Sequence, residues 1–336
     1  MQRGGGIHVS LVAAGGQSAQ FVDMQAFHSD HFVLPLPEGH RFPMHKYRLL
    51  RERVESELPA IRLCEAPVAS DGELALAHTP AYIDMVSEGL LGAAQQCEIG
   101  FPWSLRLVAR ARRSVGATIA ASRAALVQGV SANLAGGTHH AYADKGGGYC
   151  VFNDVAVAAR LMQAESHRMH RRLLRVAVVD LDVHQGNGTA AIFGDDPTVF
   201  TLSMHGEKNF PFRKEASDLD VDLPDGCDDA GYLAALDAAL AQMWARHADA
   251  PPGLVFYLAG ADPHEGDRLG RLKISARGLA ERDRRVLGAA FERRIPVAVS
   301  MAGGYGRVLD DTVAVHLATL SEAQQCWSRW QRIERQ

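Results

Sequence analysis

The chain has 336 residues, 47% of them hydrophobic, which is sufficient to bury one large core. The formal net charge of -4 and the mixing of basic with acidic residues argue against a nucleic-acid or membrane-surface partner. The five cysteines are far apart and form no CxxC pair, which argues against a disulfide framework or a zinc finger and favours a reducing cytoplasm.

Residues 1–29 are interpreted as a mobile amino-terminal extension rather than a signal peptide, because His8 and Ser10 interrupt their weak apolar stretch. A single catalytic domain is predicted over residues 30–336, since no linker divides it. Its first strand is predicted at 31–36 and its first helix at 43–58. No apolar run approaches the roughly 20 residues needed to span a bilayer.

Further helices are predicted over 79–89, where Thr79 caps a helix that begins with Pro80, and over 104–127. Beyond residue 130, short apolar runs alternate with segments of helical length. The predicted strands are 132–135, 176–179, 199–202, 254–258 and 296–300, and the predicted helices between them are 154–165, 232–246 and 276–293. This alternation predicts an α/β fold, a single-domain open parallel sheet with helices on both faces.

Each of these five strands is followed by glycine or by residues that can perform chemistry. The segments read GGTHH (136–140), DLDVHQGNG (180–188), SMHGEKNFPF (203–212), AGADPHEGD (259–267) and MAGGYG (301–306). In an open parallel sheet, ligands bind beyond the carboxyl ends of the strands, so all five segments are expected at one rim. Five such endings together indicate an active site.

Asp180, Asp182 and His184 alternate at the end of one predicted strand, so an extended chain would direct them to one face. With Asp262 from another strand end, Asp182 and His184 make a set of two carboxylates and one imidazole. Such a set leaves a metal position open for water and substrate, as in the catalytic zinc site of a hydrolase. The alternatives are an aspartate-rich loop after a core strand and, for Asp262, a helix cap.

Adjacent His139 and His140 offer a general base and a second acid or electrostatic helper, because imidazole titrates near neutral pH. Tyr305 lies between glycines that let the backbone approach a ligand, and its hydroxyl could donate to a developing oxyanion. The competing interpretations are a solvated glycine-rich turn for the histidines and a core position for Tyr305. His205 and His264 are interpreted as lying outside the site.

At this point the sequence resembles the histone deacetylase family, which has the arginase/deacetylase fold, over about residues 30–320. The motifs that carry the resemblance are GGTHHA, GGGYCVFND, DLDVHQGNGT, the GAD that ends at Asp262, and AGGYG, and they stand in the family's order. Commoner members have an aspartate where this chain has Asn187. That form resembles the branch called class IV and its bacterial relatives.

The resemblance implies a zinc hydrolase, with ferrous iron as the alternative metal. The implied metal ligands are Asp182, His184 and Asp262, and the implied catalytic residues are His139, His140, Asp180 and Tyr305. Carried over by motif, His140 is the general base and His139, with Asp180 behind it, is its electrostatic partner. Tyr305 would polarise the scissile carbonyl.

The resemblance also implies a tunnel for the acyl-lysine side chain and a structural monovalent cation, potassium. The implied substrate-binding residues are Gly148, Tyr149, Phe210, Leu269, Gly303 and Gly304. The implied cation residues are Asp180, Asp182, His184, Ser203 and Met204. Backbone and carboxylate oxygens of this kind suit a hard cation.

Three positions distinguish this sequence within the family it resembles. The neutral amide of Asn187 would raise the basicity of His140 less than a carboxylate would. The acidic rim residue that grips the substrate backbone in some members has no clear counterpart. Leu269 stands where polyamine-selective relatives carry a glutamate, which predicts a preference for a neutral lysine stem over a cationic amine.

Together these features predict a metal-dependent hydrolase that removes acetyl or other acyl groups from lysine side chains. The alternatives are an acetylpolyamine or small-amide amidohydrolase of the same fold, a catalytically silent acyl-lysine binding module, and an arginase-like two-metal enzyme. The expected partner is an acylated lysine in a protein or peptide, or a small acylated amine. Neither nucleic acid nor a membrane is expected, and the expected location is the cytoplasm.

Overall fold

One parallel sheet of eight strands organises residues 23–333, the part of the chain that the computed structural model describes. The strands are β1 (Met24–His28), β2 (Ile61–Glu65), β3 (Val130–Asn133), β4 (Val176–Asp180), β5 (Val199–Gly206), β6 (Leu219–Leu223), β7 (Leu254–Leu258) and β8 (Val297–Ser300). Their order across the sheet is β2-β1-β3-β8-β7-β4-β5-β6, and each neighbouring pair is parallel. All carboxyl ends of the strands therefore face the same edge.

Helices cover both faces of this sheet. They are α1 (Lys46–Glu57), α2 (Asp71–Leu74), α3 (Pro80–Ser87), α4 (Ala93–Ile99), α5 (Leu105–Gln128), α6 (Asp154–His170), α7 (Asn187–Phe193), α8 (Asp229–Arg246), α9 (Ala276–Glu292) and α10 (Leu309–Ile333). Side-chain caps fix several helix starts: the Thr79 hydroxyl accepts from the Tyr82 N–H, and Ser104 caps α5 in the same way. Within residues 23–333, no helix combines the length and apolar character needed to cross a membrane.

The period of two along the central strands divides the core into two layers. In β4, Val176 and Val178 point to the first layer, whereas Ala177 and Val179 point to the second layer on the opposite face of the sheet. Helices α3, α5 and α6 pack on the first layer, and α1, α8, α9 and α10 pack on the second. Because β4 is buried on both faces, its sequence is continuously apolar until Asp180, which marks the start of the polar edge.

The predicted parallel α/β sheet is confirmed, and β7, α6, α8 and α9 lie within a few residues of their predicted positions. The predicted first strand at 31–36 is wrong, because that stretch is irregular and Pro35 lacks the N–H that a ladder requires. The first described strand is instead β1, which lies inside the stretch interpreted as an extension. Residues 1–22 of that predicted extension lie outside the described residues.

Candidate active site

The five polar segments meet at the carboxyl edge of the sheet. His139 and His140 follow β3, and Asp182 and His184 follow β4. Asp262 follows β7. The loop over 301–306 follows β8 beside them, with the side chain of Tyr305 buried, and Phe210 follows β5. The edge predicted from sequence is therefore assembled from five separate parts of the chain.

Asp182, His184 and Asp262 form a compact buried group. One ligand atom from each lies within 4.8 Å of the others, and their exposed fractions are 2%, 8% and 0%. Nδ1 of His184 lies 3.0 Å from Asp182 Oδ1 and 3.2 Å from Asp262 Oδ2. Asp262 Oδ2 is buried and accepts no regular hydrogen bond from the described residues. A cation bound to these three atoms would satisfy that oxygen, and two carboxylates with one imidazole suit zinc.

The electrostatics of this group also favour a bound cation. Burial and the nearby Asp182 carboxylate raise the pKa of Asp262 to about 7, since two charges of the same sign are costly in a desolvated site. Burial opposes a charged imidazole, but contacts with both carboxylates raise the pKa of His184 to about 10. The site thus concentrates negative charge that a divalent metal would neutralise.

The backbone around the ligands is fixed by their remaining oxygens. Asp262 Oδ1 accepts from the Val183 N–H at 2.9 Å, and Asp182 Oδ2 accepts from the Gly303 N–H at 2.7 Å. A Cβ at Gly303 would overlap the carboxylate oxygens of both aspartates. Only glycine lets the loop after β8 approach so closely, which explains one of the two adjacent glycines in AGGYG.

His139 and His140 have different partners although they are adjacent in sequence. Nδ1 of His139 lies 2.6 Å from Asp180 Oδ2, so its partner is a carboxylate. Nδ1 of His140 lies 2.7 Å from Asn187 Oδ1, so its partner is a neutral amide. Both rings are buried, and the His140 ring lies 6.0 Å from that of His184.

These partners give the two imidazoles opposite charge preferences. Burial disfavours the charged form of His139, but the Asp180 and Asp182 carboxylates raise its pKa to about 9. Burial lowers the pKa of His140 well below its ordinary value, and the neighbouring His139 and His184 lower it further. His139 is therefore suited to carry a positive charge, and His140 is suited to remain unprotonated at neutral pH.

Tyr305 is positioned through its backbone. Its N–H donates to Asp267 Oδ2 at 2.6 Å, and its carbonyl accepts from Arg268 Nε at 2.9 Å. Its ring centroid lies 6.4 Å from that of His184. Burial and the Asp182 carboxylate raise the pKa of the hydroxyl well above its ordinary value, so Tyr305 remains a hydrogen-bond donor at neutral pH.

Lys46, which the sequence analysis did not identify, supports the loop that carries Tyr305. Its ammonium is buried and donates to the carbonyls of Ala302 at 3.2 Å and Gly304 at 3.4 Å. It also lies 5.5 Å from the centre of the Tyr305 ring. A lysine early in a charged helix carries no signal of this contact, because its partners are backbone atoms more than 250 residues later in the chain.

Three of the predicted tunnel residues, Gly148, Tyr149 and Phe210, lie beside His140 or Tyr305. The Phe210 ring lies edge-on to His140 with centroids 5.0 Å apart, and the Tyr149 ring lies 5.8 Å from that of Tyr305. A side chain at Gly148 would overlap the His140 ring. Leu269 is half-buried and lines a cavity of about 250 Å³ together with the exposed side chains of Arg41 and Arg268.

The residues predicted to hold a monovalent cation also lie side by side. Asp180 of β4 is paired in register with Ser203 of β5, and Met204 follows it. All are buried. Ser203 Oγ lies 3.0 Å from Nδ1 of His205, a histidine that sequence analysis left outside the site. The cation itself stays a prediction.

A second group with metal-ligand geometry in the described part of the chain is His28, Asp30 and His31, after β1. Asp30 already pairs with Arg51 at 2.9 Å, and the side chain of His31 is exposed. A guanidinium bound to the only carboxylate of the group argues against a second metal there.

Comparison with known proteins agrees with the geometry of this edge. A family model described as the histone deacetylase domain matches residues 40–320. An uncharacterized protein of Picosynechococcus sp. is 44% identical over 292 residues, which cover 86% of this chain and 94% of that protein. Histone deacetylase 2 of Arabidopsis thaliana is 38% identical over 209 residues, which cover 60% of this chain and 52% of that protein.

Solved structures show the same fold at lower identity. A structure of an HDAC homologue complexed with SAHA has a TM-score of 0.76 and 22% identity, covering 93% of this chain and 89% of that one. An HDAC homologue from Aquifex aeolicus has a TM-score of 0.74 and 21% identity, covering 92% of this chain and 88% of that one. These likenesses support the fold alone.

Proposed function

The chain belongs to the histone deacetylase family of hydrolases, and from that premise we propose that it removes acyl groups from lysine side chains in a metal-dependent hydrolysis. The observation that carries the proposal is the buried group of Asp182, His184 and Asp262, with one unsatisfied carboxylate oxygen, facing His140 and Tyr305. A site that only bound acyl-lysine would need neither this charge nor a proton acceptor beside it.

The three ligands would hold one divalent ion, zinc, with ferrous iron as the alternative. When bound, that ion supplies Lewis acidity toward the substrate carbonyl and lowers the pKa of water in the site. The remaining chemistry falls to side chains of this chain.

His140 is proposed as the general base and acid. Its lowered pKa keeps it neutral at physiological pH, and the hydrogen bond from Nδ1 to Asn187 leaves Nε2 free to accept a proton. Nε2 takes the proton of the attacking water as the new C–O bond forms at the acyl carbon. It then returns that proton to the lysine nitrogen as the C–N bond breaks, which releases the carboxylic acid and the free amine. The acid then loses its remaining proton to solvent.

His139 and Tyr305 are proposed to stabilise charge. His139, paired with Asp180, stays protonated and offsets the negative charge of the site. The Tyr305 hydroxyl, which stays protonated because of its raised pKa, donates to the carbonyl oxygen as charge develops there. Neither residue transfers the reacting proton in this scheme.

The substrate class is inferred from the tunnel. Gly148, Tyr149 and Phe210, with Gly303 and Gly304 at the base, would accommodate an uncharged, extended acyl-lysine stem. Leu269 gives no partner to a cationic amine, and the neighbouring Arg41 and Arg268 place positive charge beside it. A protonated polyamine would lose hydration and meet like charge, so acylated lysine in a protein or peptide is the better fit.

A structural monovalent cation, potassium, is part of the proposal. Asp180, Asp182, His184, Ser203 and Met204 are its proposed surroundings. The support is their burial side by side at the ends of β4 and β5, where oxygen ligands suit a hard cation.

The deciding experiment is turnover of acyl-lysine peptides with different acyl chains, and of acetylspermidine and acetylputrescine, by protein whose metal content has been quantified. We expect kcat/KM for the best acyl-lysine peptide to exceed that for either polyamine by at least about tenfold. A preference for polyamines would support the small-amide alternative. Binding of acyl-lysine without turnover by metal-loaded protein would support the silent binding module, and two metal ions per chain would support the arginase-like alternative.

A further inference from the structure

His140 is joined to a carboxylate through two intervening side chains. Its Nδ1 lies 2.7 Å from Asn187 Oδ1, and Asn187 Nδ2 donates to the Tyr142 hydroxyl at 3.0 Å. That hydroxyl donates to Glu215 Oε1 at 3.0 Å. The four groups form one unbranched row from the edge of the sheet to a half-buried acid in the loop between β5 and β6.

Only one direction of hydrogen bonding satisfies this row. A carboxylate accepts and cannot donate, so Tyr142 must give its proton to Glu215 and accept from the amide nitrogen of Asn187. That orientation turns the amide oxygen of Asn187 toward His140. Nδ1 of His140 must then carry the proton, and its Nε2 presents a lone pair.

From this geometry we propose that Glu215 and Tyr142 are positioning residues that fix the amide orientation of Asn187 and, through it, the tautomer of His140. The inference rests on the proposed function, because only a general base needs Nε2 unprotonated. A neutral amide alone cannot define the tautomer, since an amide can rotate to present either its oxygen or its nitrogen. The carboxylate at the far end of the row removes that freedom.

Glu215 is held in place independently of its side chain. Its N–H donates to Gln185 Oε1 at 2.9 Å, and its carbonyl accepts from Gln185 Nε2 at 2.6 Å. Gln185 is buried and stands between His184 and Asn187 in the same loop. The acid is thus fixed to the site loop by its backbone, and a substitution that changes only its charge leaves that anchor intact.

The surroundings of Tyr142 agree with a donor role. Burial raises the pKa of its hydroxyl to about 12, and the hydrogen bond to Glu215 contributes, so the group stays protonated throughout the neutral range. The nearby Lys145 ammonium lies 4.8 Å from the centre of the Tyr142 ring, but its own partner is Glu98, at 3.1 Å. Glu98 therefore provides a matched control, an acid in the same neighbourhood outside the row.

The test compares Glu215→Gln and Tyr142→Phe with Glu98→Gln. Glu215→Gln keeps the shape and the backbone anchor but can donate as well as accept, so it no longer fixes the row. We expect each of the first two variants to lower kcat by about threefold to tenfold, with KM and metal content unchanged. Glu98→Gln should change kcat by less than about twofold.

Measuring Glu215→Gln in an Asn187→Asp variant separates an effect on the His140 tautomer from an effect on loop packing. Asn187→Asp puts an acceptor-only group directly behind His140, so Glu215→Gln should lose most of its effect in that background. An unchanged effect of Glu215→Gln in the Asn187→Asp background would overturn the proposal, because a loop-packing role would not depend on residue 187. Equal kcat in wild type and Glu215→Gln would overturn it as well.

A direct readout does not need a substrate. In protein labelled with ¹⁵N-histidine, His140 should show a protonated Nδ1 and an unprotonated Nε2, and Glu215→Gln should produce a mixture of tautomers. A single unchanged tautomer in the variant would refute the inference. Absence of turnover in the wild type would instead contradict the proposed function, and the ¹⁵N result would still decide the tautomer.

Discussion

Replacing Tyr305 by phenylalanine isolates the contribution of one hydroxyl. The ring packs against Phe42, Tyr149 and His184 at centroid distances of 6.2, 5.8 and 6.4 Å, and phenylalanine retains all three contacts. The backbone bonds to Asp267 and Arg268 are also retained. Among residues 23–333 the hydroxyl has no hydrogen-bond partner, so its removal should change the free energy of unfolding by less than about 1 kcal/mol.

The catalytic cost should be much larger. Loss of one donor to a developing oxyanion in a desolvated site lowers kcat by about 10² to 10³, or roughly 2.7–4 kcal/mol in the transition state. The assay is kcat on an acetyl-lysine peptide, with metal content and melting temperature measured on the same preparation. Tyr47→Phe is the control, because it removes a hydroxyl from another tyrosine that lines the same cavity. A Tyr305→Phe enzyme with intact metal and kcat within about tenfold of wild type would refute the assignment.

Four further outcomes are expected. Asp262→Ala should give folded protein without bound metal; metal at the wild-type ratio with continued turnover would contradict the ligand set. His140→Ala should lower kcat by about 10² or more with metal retained, and near wild-type kcat would place the base elsewhere. Leu269→Glu should shift relative kcat/KM toward acetylpolyamines, and an unchanged ratio would show that this side chain does not select the substrate. His78 is buried and accepts from the Asn153 N–H, and burial lowers its pKa to about 4. In the unfolded chain the pKa of this histidine is about 6.5, so the unfolded state takes up a proton first as the pH falls. The contribution of His78 to the free energy of unfolding is therefore fully present above about pH 6.5 and falls by roughly 3 kcal/mol as the pH decreases toward 4. Urea unfolding of wild type and His78→Asn at about pH 7.5 and pH 4.5 should show this extra loss only in the wild type.

The site residues at the carboxyl edge of the sheet could be predicted because they follow predicted strands directly in the sequence. Asp182 and His184 directly follow an apolar strand, and the period of two places them together without any knowledge of distant contacts. The rule that ligands bind beyond the carboxyl ends of parallel strands then brings Asp262 to the same place.

Long-range partners could not be predicted in the same way. Glu215 lies 73 residues from Tyr142 along the chain, and Lys46 lies 256 residues from Ala302. Neither pair leaves a periodic pattern or a spacing in the sequence. β1 was missed for a related reason: MQAFH alternates only weakly, whereas the proline-containing stretch after it is more apolar.

The position of β8 sets the order in which the site can be assembled during synthesis. β8 lies between β3 and β7, so it joins the part of the sheet that carries the histidine pair to the part that carries Asp182 and Asp262. A ribosome makes β8 after all the other described strands, and until it emerges the two parts have no shared backbone ladder. A nascent chain that stops short of Val297 would therefore expose two open strand edges, one on β3 and one on β7. Pairing of these two parts through the sheet must follow completion of this strand.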